Sequence, residues 1–394
     1  MARRQAARKQ RTLRTETYGK GSVYQDKRGT WWYAPPADKG QRLPRVRATS
    51  EQSARLAQKD HLAKRDQGVA VSAIPTTKEW FAFCLKEHIA PGLEESTVEW
   101  YRWLISRYIL PAIGDAQLDL VTSDHLIVLQ NRLRAHINAQ TGNVMAIRTV
   151  ARINELLDRV FAKAVVSRKI AYNPMDAVER PRVPRSPQKA YQPAHAAAFR
   201  DAVRGHRLEL LYDLMFVQGF RRAEALALLI SEYDRDTGVL KVSGQVQTVK
   251  GKTARKGRTK SAAGVRSVPL TPRQQDMMTR HLERLSEERR RLGVEWKEQN
   301  LLFPSERGTP LIPRNLFRHY CQTQEKAGIP HYTLHALRHT SATAMDAVKA
   351  TPAQMKAIMG HSPGDTTGGY IHPPIEELYK VLLAAEEMQL RWAA

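Results

Sequence analysis

"VQGFRRAEALALLI", residues 217–230, ends one helix and opens another within a few positions. The first helical pattern stops near Gln218, Gly219 breaks it, and Ala225, Leu226 and Leu229 resume an apolar face. Arg221 then falls in the first turn of the second helix, where the dipole favours acids over cations. An anion at that N-terminus, shared by backbone N–H groups and the guanidinium, would resolve the conflict. Glu224, one turn on, stands where it can hold the guanidinium. The alternative is an ordinary surface Arg–Glu pair.

Working outward, no acid occurs between Asp236 and Asp276, yet Lys241, Lys250, Lys252, Arg255, Lys256, Arg258, Lys260, Arg266 and Arg273 do. With glycines at 251, 257 and 264, this text predicts a β-hairpin or three-stranded sheet with a cationic, flexible tip, closed by "RSVPL" as a returning strand. Phosphate contact is its natural use and a solvated loop the alternative; charge alone does not say which lysine does chemistry. In "LHALRHTSATAMDAV", His335, Arg338 and His339 share one helix face, opposite Leu337. His-x-x-x-His also suits zinc, but Ala336 stands where a zincin has Glu, and Arg338 would repel a cation. The cluster therefore favours an anion, with imidazole for proton transfer and a guanidinium for charge.

"TPAQMKAIMGH" starts a helix with Thr351 as N-cap and Pro352 at its first position, and Gly360 ends it, leaving His361 just beyond. In the following "GHSPGDTTGGYIH", paired glycines precede Tyr370 between two histidines. Such a segment can be repositioned, so its phenol is a candidate nucleophile; a surface loop is the plain alternative. Two arginines, several lysines, histidines and a movable tyrosine make a metal-free phosphoryl-transfer set, with no cofactor expected. Forked guanidiniums can stabilise the charge on a phosphodiester in displacement, imidazole can help deprotonate the phenol, and a lysine can protonate the leaving alkoxide.

Composition agrees. Among 394 residues, 63 Lys and Arg face 39 Asp and Glu, a net charge of +24 that points to a polyanionic partner, nucleic acid before a membrane surface. No stretch approaches the roughly 20 apolar residues of a membrane span, and "MARRQAARKQRTLR" lacks an apolar signal core. Cys84 and Cys321 imply neither a disulfide framework nor a zinc cluster. A cytoplasmic, bacterial or phage-encoded protein is expected, with no membrane partner.

Length and pattern divide the chain into five stretches. Residues 1–17 read as a disordered basic arm and 18–70 as a small ββ(β)α module, basic on its sheet face through Arg42, Arg45 and Arg47. Residues 76–180 read as an all-helical bundle. In it Ser96 and Glu99 form a capping box, one helix runs until Pro111, and others cover about 123–136 and 144–167. Residues 181–193 are a proline-rich linker and 194–394 a mixed unit, ending in an amphipathic helix along Leu378, Val381, Leu382, Ala385 and Met388.

Together these blocks resemble the tyrosine recombinase (phage integrase) family, over most of the last 200 residues and in the family's order. The resemblance of "GFRRAE" implies Arg221 as first catalytic arginine with Glu224 as its support. "TKSAAGVRSVPL" implies Lys260, rather than Lys256, as leaving-group acid, with Lys256 and Arg258 contacting DNA. "HALRH" implies His335 as base or proton shuttle, Arg338 as second arginine, and His339 as a helper or core residue. "MGHSPGDTTGGY" implies His361 as a phosphate contact and Tyr370 as nucleophile. Gln218 stands where the family commonly has Thr, and Gly368-Gly369 replaces bulkier residues.

The implied fold is multidomain, mainly α with small β-sheets: an arm-type DNA-binding module, a helical core-binding domain and an α+β catalytic domain, the latter two clamping DNA. The implied activity is cleavage and rejoining of DNA through a 3′-phosphotyrosyl intermediate without metal or ATP. The implied partners are double-stranded DNA attachment sites, a homotetramer on two sites, and a directionality factor and DNA-bending host protein. Type IB topoisomerases, chromosome-resolving recombinases and non-catalytic DNA-binding proteins are the alternatives; residues 18–68 favour an integrase of a phage or mobile element. The last helix is similar to family tails that dock on a neighbouring subunit, against the alternative of a helix packed on its own unit.

Overall fold

Alternation in the short N-terminal strands puts Val23, Tyr33 and Ala48 on one face. They belong to an antiparallel sheet of β1 (Ser22–Gln25), β2 (Trp31–Ala34) and β3 (Val46–Ala48), covered on that face by Ala54 of α1 (Glu51–Asp66). The turn between β1 and β2 is built by Asp26, whose carboxylate accepts from the backbone N–H of Arg28 and Thr30 and from the Trp32 indole, each at 2.9 Å. On the other parity, Tyr24 pairs with Trp32 and Trp32 with Arg47 across the strands. Arg45 donates to the Tyr24 hydroxyl at 2.9 Å and lies 5.9 Å from that ring's centre. This computed structural model describes residues 19–37, 43, 45–66, 74–138, 142–184, 189–257, 265–360 and 373–391; Arg42 and the basic arm lie outside them.

The helical text after residue 74 folds into α2 (Thr77–Cys84), α3 (Glu95–Leu104), α4 (Leu110–Ile113), α5 (Ser123–Arg134) and α6 (Ile147–Val166). Leu126, Leu129 and Leu133 of α5 meet Val150, Leu157, Phe161 and Ala164 of α6 in one core with Trp80 and Phe81. Two local expectations change. α3 begins at Glu95 with Glu94 as cap, so Ser96 is already inside the first turn and forms no box with Glu99, which pairs with Arg102 instead. The helix also does not stop at Pro111. A π turn, Ile105–Ile109, shifts the ladder so that Leu110 N–H reaches Ile105 O, and Pro111 takes a first-turn position of α4 where no N–H is needed.

Contacts divide the chain into two units, Met1–Arg185 and Ser186–Ala394. The second holds α7 (Pro193–Val203), α8 (Glu209–Val217) and α9 (Arg222–Ala225), then strands β4 (Tyr233–Asp234), β5 (Val239–Val242), β6 (Gln245–Val249), β7 (Lys252–Lys256) and β8 (Arg266–Pro269). Four helices follow, α10 (Pro272–Leu292), α11 (Pro313–Lys326), α12 (His335–Ala347) and α13 (Pro352–Met359), and α14 (Ile375–Arg391) ends the unit. The single basic sheet expected from sequence is two sheets: β4-β5-β8, and a separate β6-β7 hairpin. Lys250 and Gly251, both at positive φ, make the tight turn that joins β6 to β7.

α14 packs on its own unit, burying Leu378, Leu382 and Ala385 in the central core, with Gln389 donating to Phe216 O at 2.9 Å. Beside this apolar stripe, Arg273 bridges the buried Asp213 of α8 and Glu386 of α14, at 2.5 and 2.8 Å. Among the described residues no helix is long and apolar enough to cross a membrane. Leu382→Ala should destabilise this unit by about 2–5 kcal/mol in denaturant unfolding, whereas exposed Glu387→Ala should stay within about 0.5 kcal/mol.

Candidate active site

Gly219 joins α8 to α9 at φ +68°, and a Cβ there would meet Met359 Cε at 2.8 Å and Ser341 Oγ at 2.9 Å. Only glycine both adopts that backbone and lets the chain press this closely against α12 and α13. The close approach is tied down by Ser341 Oγ, which donates to Val217 O at 2.8 Å. α9 is a single turn of four residues, and Arg221 sits at its N-cap rather than inside it. The helix-dipole argument made from sequence therefore does not apply; charge in this site comes from side chains.

Glu224 is the hub. Its Oε1 accepts from Arg221 Nη1 at 2.7 Å, and its Oε2 accepts from Arg221 N–H at 3.1 Å and from Arg266 Nη2 at 2.9 Å. Burial alone would push the Glu224 carboxyl up, but Arg266 and then Arg221 outweigh it and hold the pKa below the ordinary value. Arg338 of α12 is 4% exposed and donates Nη1 to Gly219 O at 2.6 Å and Met359 O at 2.9 Å. Its Nη2 is buried with no hydrogen-bond partner among the described residues. Burial, then the neighbouring Arg221 charge, pushes the Arg338 pKa down to about 10, which still leaves it protonated at neutral pH. Two guanidiniums thus pair with one carboxylate and a third stands near it, so among the described residues positive charge exceeds negative, which suits an anion.

His335 and His339 lie one turn apart on α12, with ring centroids 4.6 Å apart and planes perpendicular. Desolvation, then His339, Arg338 and Arg221, lowers the His335 pKa. These surroundings favour the neutral ring, the form that can accept a proton. Arg221, Glu224, His335, Arg338 and His339 are thus brought to one place. Lys260 and Arg258 fall between β7 and β8, and His361 and Tyr370 between α13 and α14, all outside the described residues. Lys256 ends β7, paired with Gln245, while Arg47 belongs to the N-terminal sheet and Arg45 precedes its third strand. Gln218 is fully buried and bonded to Gln274, so it serves the core rather than the pocket.

Arg266 was not singled out from sequence among its basic neighbours. Its signal was parity: it shares a strand face with buried Val268, so its guanidinium must turn inward and find an acid.

The description "Phage integrase family" matches residues 193–377, a span containing every element of this pocket. The chain carries a domain of the phage integrase, or tyrosine recombinase, family. A XerC-like tyrosine recombinase of Caldanaerobacter subterraneus subsp. tengcongensis is 27% identical over 233 residues, 55% of this chain and 59% of the relative. The chain thus spans about six-tenths of that relative's length. In fold, this chain is similar to the Tn1549 transposon integrase in complex with transposon right end DNA: TM-score 0.60, 19% identity, covering 81% of this chain and 100% of that one. It is also similar to a λ integrase tetramer bound to a Holliday junction: TM-score 0.52, 17% identity, covering 88% and 93%.

In the free protein, NMR titration of the His335 ring should give a pKa below the ordinary value of about 6.5. Arg221→Gln should move it upward, because one of the charges disfavouring imidazolium is then gone.

Proposed function

We propose that this chain is a site-specific DNA recombinase that cuts and rejoins DNA through a tyrosyl ester. The observation that carries the reading is the buried Arg338, whose Nη2 has no hydrogen-bond partner among the described residues, beside the half-exposed Arg221 in a pocket where the described residues place more positive than negative charge. Such an arrangement is preorganised for the non-bridging oxygens of a phosphodiester, where charge gathers during displacement.

The Tyr370 oxygen attacks phosphorus, the bond from phosphorus to the 5′-oxygen breaks, and a 3′-phosphotyrosyl link forms. The phenol proton goes to neutral His335, and Lys260 protonates the departing 5′-oxygen. Arg221 and Arg338 hold the phosphate charge, with His361 as a further contact and His339 beside His335. Ester energy is conserved, so a 5′-hydroxyl from another strand reverses the step without ATP. Exchange between two duplexes takes four such cleavages, hence four copies on two attachment sites.

The N-terminal sheet supports an integrase of a phage or mobile element over a chromosome-resolving enzyme. Its Tyr24, Trp32 and Arg47 row, extended by Arg45, offers an aromatic and cationic face for a second class of DNA site. Arg42 in the same module, and Lys256 and Arg258 at the hairpin, add phosphate contacts.

The deciding experiment uses a nicked duplex from which the 5′-hydroxyl fragment diffuses after cleavage. Wild type should accumulate covalent adduct, and Tyr370→Phe should make none while binding the duplex with unchanged affinity. Adduct persisting in that variant would move the nucleophile elsewhere, and relaxation of non-specific supercoiled DNA by a monomer would favour a topoisomerase. Arg45→Ala with Arg47→Ala should weaken arm-site binding and reduce its salt dependence by about one unit of slope per lost contact.

A further inference from the structure

Arg266 reaches three elements at once. From β8 its Nη2 meets Glu224 of the α9 turn at 2.9 Å, its Nε donates to Ile358 O near the end of α13 at 2.7 Å, and its guanidinium lies 5.4 Å from the Phe220 ring centre. The fit extends to Gly360, at φ +68°, where an added Cβ would fall 2.6 Å from Arg266 Nη1. The Arg266 side chain is 6% exposed, against 38% for Arg221. Arg221 can meet a ligand; Arg266 is walled off and acts through its partner.

That partner has one negative charge to share. A carboxylate left to Arg221 alone would direct both oxygens at it, neutralise it, and draw its fork away from the pocket. With Arg266 on Oε2, Arg221 gives Glu224 only Nη1 from its side chain, at Oε1. Among the described residues its other side-chain donors have no partner, so most of its charge stays available. We propose that Arg266 is a positioning residue of strand cleavage, which takes up the charge of Glu224 so that Arg221 keeps its own for the scissile phosphate.

This rests on the reading of Arg221 as a phosphate-binding catalytic residue. The test compares wild type, Arg266→Met, Arg266→Lys, Glu224→Gln and the Arg266→Met/Glu224→Gln double variant in full-length protein. Duplex affinity is measured by anisotropy, and single-turnover adduct formation on the nicked substrate at saturating protein. Arg266→Met should slow adduct formation by about 10–100-fold, the usual range for a residue that orients another, with affinity within about twofold. The lysine variant, which keeps the charge but not the fork, should recover part of the loss.

The double variant decides the case. With no acid left to quench Arg221, it should react at least as fast as Arg266→Met alone. A residue that merely fills space would give a double variant slower by the product of the two single losses, and that result, or a wild-type rate for Arg266→Met, overturns the proposal. If Arg266→Met does not fold, Arg266→Lys with and without Glu224→Gln is read by the same criterion. Absence of adduct in wild type would instead refute the recombinase reading, leaving the two failures distinct.

Discussion

One buried carboxylate makes the pocket possible. Like charges at close range repel, and in a partly dry site the repulsion is weakly screened, so Arg221, Arg266 and Arg338 could not gather without Glu224 between two of them. Arg338 is held differently, by the carbonyls of Gly219 and Met359, whose partial negative charge replaces an acid. Full neutralisation would have made a stable core network with no appetite for a ligand. With Arg338 Nη2 lacking a partner among the described residues, that part of the site stays electrostatically incomplete.

The rest of the second unit serves to bring those groups together. Thr340, next to His339 on α12, accepts from Tyr191 N–H at 2.8 Å, so the segment entering this unit is fastened to the helix that carries the imidazoles. The Tyr191 ring is itself buried, stacked on Tyr332 and bonded through its hydroxyl to Tyr320. Packed on α12, α14 is fixed by an apolar stripe and by the Asp213, Arg273 and Glu386 network. Such a scaffold fixes the elements that carry the guanidiniums, which electrostatic preorganisation requires.

Sequence made the regular helices legible. The α13 boundaries follow from Thr351, whose hydroxyl accepts from Gln354 N–H, and from Gly360 in the left-handed conformation. The inward leucines of α5 and the apolar stripe of α14 were equally plain, since each repeats within two or three turns. Reading failed where a local rule met a larger constraint. The Ser96 box gave way because the chain cap lay two residues earlier, and the stop at Pro111 gave way because a π turn had already shifted the ladder. The helix expected after Arg221 proved a single turn, because the apolar run behind it serves core contacts of irregular backbone.

Alone, the sequence determined the helices, their caps and the kinds of side chain they carry, because those depend on neighbours a few positions away. It also determined that Arg221 and Glu224 pair, three residues apart. The tertiary structure decided that Arg266 is the second cation on that carboxylate, 42 residues distant, and that Arg338 meets carbonyls instead of an acid. Nine basic residues crowd the stretch from Lys241 to Arg273, and charge does not distinguish them. Which one reaches Glu224 is set by strand register and by the room beside Gly360, and both exist only once β8 lies against α13.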